Sequence, residues 1–341
     1  MTRADAAAPA SGPQSRPSSD RFPRPVKAFC IDFNWHQGRA APPGTYAHAD
    51  PAEHVRWYRD LGANVIQTFC VSYNGYAWYP STVAPVTPGL RDPDFLGSMV
   101  NLGHKAGMRV MGYFTLGANP FWEAAHPDLV HGEDSDDIRI PLTLEYLDDF
   151  CRCVEDALQR TGIDGFMIDW VRPTRHNRWL ECEKDMYRQL LGEAFPASAD
   201  PPAQAVLAFD RLALERGWRH IRRTVRATRP AVIWTNHPFY AAEYPVWEGH
   251  RLLCEVDWVL NEAPDLGVLD WLRGQVGPDT LIVQNLCGWE DHDAGAWRKL
   301  DPRTVGLYGF AQADGQTTLP AETGAANMRN IGILREAYRA L

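Results

Sequence analysis

The sequence predicts a single (β/α)8 TIM barrel, on three observations. From residue 26 onward, eight short apolar runs of β type alternate with helix-forming segments. The joints between helix and strand repeat one punctuation, a glycine placed directly before the next apolar run. The fourth run, Ile163-Asp164-Gly165-Phe166-Met167-Ile168-Asp169, ends on a carboxylate. A strand buried on both faces tolerates such a residue only if it has a partner, a solvated cleft or a task. In a barrel the C-terminal strand tips form the floor of the active site, so an acid there reads as chemistry.

The eight runs are Val26 to Phe33, Asn64 to Cys70, Arg109 to Thr115, Gly165 to Asp169, Ala231 to Asn236, Trp258 to Glu262, Leu281 to Asn285 and Gly306 to Gln312. Between the first two, Asp50-Pro51-Ala52-Glu53 supplies an N-cap, a proline at the first helical position and acid in the first turn, ahead of Val55, Trp57, Tyr58 and Leu61. The same grammar at Asp92-Pro93-Asp94 precedes Phe95, Met99 and Leu102. Leu61-Gly62, Ala106-Gly107 and Thr161-Gly162 are read as left-handed C-caps. After run four, the Pro- and Ala-rich stretch Phe195 to Ala205 marks a break between two helical pieces. An open doubly wound sheet has the same alternation, but its first turn is usually a glycine-rich phosphate loop, and here that turn reads Phe33-Asn34-Trp35-His36-Gln37.

The 341 residues accommodate a barrel of about 250 residues in one domain. Residues 1 to 25, rich in Ala, Pro, Ser and Arg and lacking an apolar signal region, are expected to be a disordered tail. Residues 26 to 341 form the expected catalytic domain. A net charge of −9 argues against a nucleic-acid or anionic-membrane partner. The arginines Arg219, Arg222, Arg223 and Arg226 are spaced as a solvated helix face. No run of about 18 apolar residues is present. The seven scattered cysteines, which include a Cys151-x-Cys153 that fits no zinc spacing, are read as reduced thiols of a cytoplasmic protein. Composition does not address the oligomeric state.

If the barrel closes, the polar residues at the run ends share one rim. They are Asp32, Asn34 and His36, then Gln67, Tyr113, Asp169 with Arg172, Asn236 with His237, Asn261 with Glu262, Gln284 with Asn285, and Gln312 with Asp314. Every strand contributes a group able to pair with a hydroxyl, which points to a carbohydrate substrate. Trp35, Trp78, Trp170 and Trp289 are candidate stacking faces. Asp169 and Glu262 lie two strands apart. From strand spacing, inward-leaning side chains bring their carboxyls to about 5 Å, the separation used in retaining glycoside hydrolysis. The reading assigns Asp169 as nucleophile and Glu262 as acid/base, with Asp32, Asn34, Trp35, His36, Gln67, Tyr113, Trp170, Arg172, Asn236, His237, Asn285 and Gln312 binding substrate. No cofactor or metal is expected.

Other assignments stay open on sequence alone. Asp169 satisfied by backbone amides, Glu262 capping a helix near Pro264, and Asp32 exchanging roles with one of the pair are the structural and catalytic alternatives. A metal-dependent isomerase, lyase or hydrolase would take Asp32, Asp169, Glu262 and His237 as ligands, although the His-x-His of zinc amidohydrolases is absent from run one. A sugar-binding barrel without catalysis is the third class.

Three short features carry a family resemblance: Ile31-Asp32-Phe33-Asn34, Asp164-Gly165-Phe166-Met167-Ile168-Asp169, and Asn261-Glu262. On these the chain, over residues 26 to 312, resembles barrel glycoside hydrolases of the α-L-fucosidase-like and α-galactosidase-like type. It looks closest to the group of hypothetical glycosyl hydrolases near the fucosidases. The resemblance implies an aspartate nucleophile at the tip of strand four, and from the α-galactosidase side an acid/base at the tip of strand six. Asp169 and Glu262 stand at those positions. Fucosidases also carry a His-rich pocket, where this chain offers only His36 and His237.

Overall fold

The computed structural model describes residues 22–132, 139–174, 178–198, 200–229, 231–237, 244–321 and 325–341, without the side chains of residues 236, 237 and 325–327. Eight parallel strands close into a barrel: β1 Lys27–Asp32, β2 Val65–Gln67, β3 Arg109–Thr115, β4 Gly165–Asp169, β5 Val232–His237, β6 Trp258–Asn261, β7 Leu281–Asn285 and β8 Val305–Gln312. Each pairs with its neighbours in sequence, and β1 closes the ring against β8 from Lys27 beside Leu307 to Asp32 beside Gln312. Every expected run lands on a barrel strand. The largest trimming is at β2, where Thr68 to Cys70 leave the regular ladder while Thr68 and Cys70 still donate to Met111 and Tyr113 of β3.

The helices follow the capping signals with two corrections. In α1 (Pro51–Leu61) the Asp50 carboxylate accepts from Ala52 and Glu53, and Gly62 at φ 91° closes the helix. In α2 (Phe95–Lys105), however, the cap is Asp94, which accepts from Gly97, while Asp92 instead holds the Asp94 amide. Asp92-Pro93 is therefore a turn before the helix rather than its first residues. The second correction is Gly162, which is not a left-handed cap. A Cβ there would lie 3.0 Å from the Val100 side chain, so glycine serves close approach of this segment to α2. Helix α3 (Pro120–Ala125) is capped by Asn119, which accepts from the Trp122 amide, and α4 (Leu144–Arg160) by Thr143, which accepts from the Tyr146 amide. The Pro-rich break separates α5 (Glu181–Leu191) from α6 (Ala203–Thr228), and these pack a satellite core of Met186, Tyr187, Phe209 and Ala213. Of the α6 arginines, Arg219 pairs with Glu215 and Arg222 with Glu255.

Strand alternation sorts the two faces. On β3 and β4, Phe114 and Phe166 meet edge to face at 5.5 Å, and Phe114 meets Phe150 of α4 at 5.7 Å, so this face packs on helices. Tyr113, Met167 and Asp169, on the other parity, face inward. Phe22, within the segment expected to be tail, is buried and packs on Trp258 at the start of β6, below the barrel. Gly165 begins β4 where a Cβ would sit 2.4 Å from the Val232 carbonyl oxygen and 2.9 Å from Met111. The obstacle is backbone, so Gly165→Ala is expected to cost about 2–4 kcal/mol, visible in urea unfolding as a lower midpoint at unchanged slope. Among the described residues no helix is long and apolar enough to cross a membrane.

Candidate active site

The tips of β1, β3, β4, β6, β7 and β8 meet around one cavity of about 310 Å³. Asp169 and Glu262, far apart in sequence, both line it. Asp169 follows from β4 parity: with Met167 it takes the inward positions, and the strand ends there because Trp170 turns left-handed at φ 59°. A non-glycine residue in that region is strained by about 1–2 kcal/mol, a departure that clusters at functional sites. The turn aims the Trp170 N–H at Asp169 Oδ1 at 2.8 Å, while the Tyr113 hydroxyl donates to Oδ2 at 2.5 Å. Burial first, then the charges of Asp169 and Asp32, hold the Tyr113 phenol well above its ordinary range, so it stays a donor. Tyr113→Phe is expected to lower kcat tenfold to a hundredfold, the worth of one hydrogen bond to a charged group, with KM changed far less.

Tyr113 is itself held in place. Its hydroxyl accepts from Asn34 Nδ2 at 2.9 Å and Thr115 Oγ1 at 3.3 Å, and Asn34 Oδ1 accepts from the Tyr73 amide at 2.8 Å. The Asn34 amide N–H in turn donates to Asp32 Oδ1 at 2.7 Å. Asn34 thus acts inside the wall, linking Asp32 to the Tyr113–Asp169 pair. Asp32 is only 8% exposed, and burial, partly offset by the Asn34 N–H and reinforced by the Asp169 charge, pushes its carboxyl up to about 7. The raised value has a definite sign. Between the ordinary carboxylate range and about pH 7 the native state keeps a proton that the unfolded chain has lost, so stability falls as pH rises through that window. Asp32→Asn is neutral at all pH. It should therefore raise the stability by up to about 4 kcal/mol at pH 8 and leave it nearly unchanged at pH 4, as read from thermal unfolding at the two pH values.

Glu262 lies one residue beyond β6 on a short loop clamped by amides. Asn285 Nδ2 donates to the Glu262 carbonyl at 3.0 Å, Gln284 Nε2 to the Ala263 carbonyl at 2.9 Å, and Asn261 Nδ2 to Gln284 Oε1 at 2.8 Å. Asn285, expected among the substrate ligands, is spent largely on this loop although it borders the cavity. The loop after β4 is anchored through Glu183, which is fully buried. It accepts from Leu180 N and Thr174 Oγ1 and lies 3.0 Å from His131.

The remaining expected residues divide by place. Trp35, Trp170 and Arg172 line the cavity, with the two indoles 6.3 Å apart and Tyr73 packed on both. His36 and Gln312 open instead onto a neighbouring hollow with Asp314, because His36 follows Trp35 on a two-residue strand and points the other way. Gln67 does not reach the cavity. It is fully buried, with Nε2 3.3 Å from Met167 Sδ beneath the floor, because β2 ends at this residue. Trp78 is buried against Phe33 and offers no stacking face. The side chains of Asn236 and His237 lie outside the described residues. No group of three or more His, Cys, Asp or Glu that would hold a metal is found among the described residues.

Among the cavity residues that escaped the sequence reading are Met167, Tyr308, Phe310, Glu290 and His292. The positions 308, 310 and 312 share one face of β8, so the period-two rule that selected Gln312 also marks Tyr308 and Phe310. Glu290 and His292 belong to the loop after β7, where no periodicity exists to read. Burial pushes His292 down to about 4, leaving a neutral imidazole. Burial first, then the nearby Cys30, Glu262, Asp169 and Asp32, hold the Tyr308 phenol well above its usual range.

The fold is shared with solved structures of several glycoside hydrolases. In particular, the chain is similar to α-L-fucosidase isoenzyme 2 from Paenibacillus thiaminolyticus, with a TM-score of 0.68 at 15% identity, over 92% of this chain and 49% of that one. It is similar also to the PgaB (BpsB) glycoside hydrolase domain from Bordetella bronchiseptica, with a TM-score of 0.59 at 14% identity, over 92% and 98%. The α-L-fucosidase AlfC from Lactobacillus casei gives 0.51 at 15%, over 92% and 95%. The chain spans about half the length of the first of these. No family model matches the sequence, and no curated protein does.

Proposed function

We propose that the protein is a retaining glycoside hydrolase that releases a terminal sugar, with Asp169 as nucleophile and Glu262 as acid/base. The observation that carries this reading is one cavity lined by two acids from far apart in the sequence. Asp169 accepts from two donors that suit a carboxylate, and Glu262 is carried by a loop clamped through its backbone carbonyl just beyond a strand end. A volume of about 310 Å³ is at the small end of ligand pockets and suits a single sugar unit better than a chain. The names of the similar structures, α-L-fucosidases and a glycoside hydrolase domain, agree with the reaction class.

In the first half-reaction an Asp169 oxygen attacks the anomeric carbon and the glycosidic C–O bond breaks. The departing oxygen takes the proton of Glu262, leaving a glycosyl ester on Asp169. In the second, Glu262 takes a proton from water, whose oxygen attacks the same carbon and frees Asp169. Two inversions give net retention. A second reading makes Asp32 the proton donor, favoured by its holding a proton up to about pH 7. Its depth argues against that role, because the leaving group departs through the mouth and Asp32 is nine-tenths buried on the floor. A panel of nitrophenyl glycosides in both anomers, with α-L-fucoside, α-D-galactoside and β-L-arabinoside included, tests the reaction class. Proton NMR of the first product formed tests its course: retention is expected, and inversion would overturn the mechanism.

A further inference from the structure

The segments that follow β1, β2, β3 and β4 meet on one side chain behind the cavity wall. Tyr73, after β2, is buried and is not among the residues that line the cavity, yet it backs two that do. Its ring lies 5.6 Å from that of Trp35, after β1, and meets that of Trp170, after β4, edge to face at 5.1 Å. Its amide donates to Asn34 Oδ1. Its hydroxyl accepts from Arg139 Nη2 at 2.5 Å, and Arg139 belongs to the segment between β3 and α4.

Arg139 is itself fixed in place. Its backbone N–H donates to the Gly117 carbonyl at 2.8 Å, and its carbonyl accepts from the His131 amide at 2.9 Å. Its Nε lies 3.4 Å from Glu123 Oε2, with both side chains largely buried. Glu123 Oε1 accepts in turn from the Asn119 amide at the start of α3, at 2.9 Å. The loop after β2 is pressed against the same helix start, because a Cβ on Gly75 would lie 2.1 Å from Asn119 Oδ1 and 2.8 Å from Phe121 Cβ. A largely buried ion pair adds little net stability, since desolvation offsets most of its attraction. What the Glu123–Arg139 pair supplies is a fixed direction for the bond to Tyr73.

The effect reaches the acid through Trp170. Its left-handed backbone, at φ 59°, is a conformation that persists only where the surroundings over-determine it, and its N–H is one of the two donors on Asp169. The Tyr73 ring is part of those surroundings.

We infer that Arg139 and Tyr73 are positioning residues for Asp169. The Glu123–Arg139 pair grips the Tyr73 hydroxyl, and the Tyr73 ring keeps Trp170 in the turn that presents its N–H to the carboxylate. Their effect on turnover rests on the hydrolase reading, whereas their effect on the Trp170 amide does not.

Two variants test this. Tyr73→Phe keeps the ring and its packing and removes only the hydroxyl, and Arg139→Gln removes the grip. Each is expected to lower kcat about three- to thirtyfold on the glycoside that the wild type cleaves best, with KM changed far less. The double variant should lose about as much as either single one, because both changes break one interaction. In protein labelled with 15N-tryptophan, the Trp170 amide, assigned by Trp170→Phe, should move upfield and exchange with deuterium about tenfold faster in both variants. Losses that multiply in the double variant, or a fall in kcat with the Trp170 amide unmoved, would overturn the inference and leave the hydrolase reading in place. A lower unfolding midpoint with kcat and the Trp170 amide both at wild-type values would mark a purely structural role and overturn it equally. If the wild type cleaves no glycoside, the hydrolase reading fails and the amide decides alone: a shifted, faster-exchanging Trp170 N–H sustains the brace, and an unchanged one removes it.

Discussion

Asp169→Asn should lower kcat about ten-thousandfold or more on whichever glycoside the wild type cleaves best, because an amide cannot form the glycosyl ester and the machinery around it acts as a unit. The loss should be independent of the leaving group, since the bond to the anomeric carbon is needed with every aglycone. The fold should survive. Asn retains an acceptor for the Trp170 amide or the Tyr113 hydroxyl, so circular dichroism and the unfolding midpoint should stay close to those of the parent. Stopped assays with nitrophenyl and unactivated disaccharide substrates read both points. A variant that keeps a tenth of its activity would place the nucleophile elsewhere in the cavity.

Glu262→Gln should show the complementary pattern. Removing the proton donor costs roughly a hundred- to ten-thousandfold with a poor leaving group, which needs the proton, and far less with a dinitrophenolate, which does not. With the activated substrate the second half-reaction becomes limiting, because no base takes the proton of water. A burst of dinitrophenol equal to the enzyme concentration is therefore expected. The clamp of Asn285 on the Glu262 carbonyl does not involve the altered side chain, so the loop geometry should be unchanged. A uniform loss across leaving groups would show that Glu262 binds substrate rather than transferring a proton.

How much of this was readable from the chain depended on periodicity. The barrel was legible because each of its eight strands is a compact apolar run and several helices announce their ends, as Asp50 and Gly62 do around α1. The position of Asp169 and Glu262 around a common opening followed from the barrel alone, since strand tips share one rim. What failed was orientation at single residues. Gln67 ends a strand so short that its side chain stays under the floor, and His36 turns away because the next residue on an extended chain points oppositely. Asn34 and Asn285 were found by residue type, but both spend their amides on protein neighbours, a distinction that composition does not carry. Glu290 and His292 came from an irregular loop, and tertiary structure alone brings that loop over the cavity.

Chemical rescue of Asp169→Gly tests the central claim most directly. Removing the carboxylate leaves space for azide to attack the anomeric carbon in its place, in a single displacement. The account predicts that Asp169→Gly, nearly inactive in buffer, regains turnover with added azide and yields a glycosyl azide of inverted anomeric configuration by NMR. Rescue by azide in Asp32→Gly but not in Asp169→Gly would contradict it.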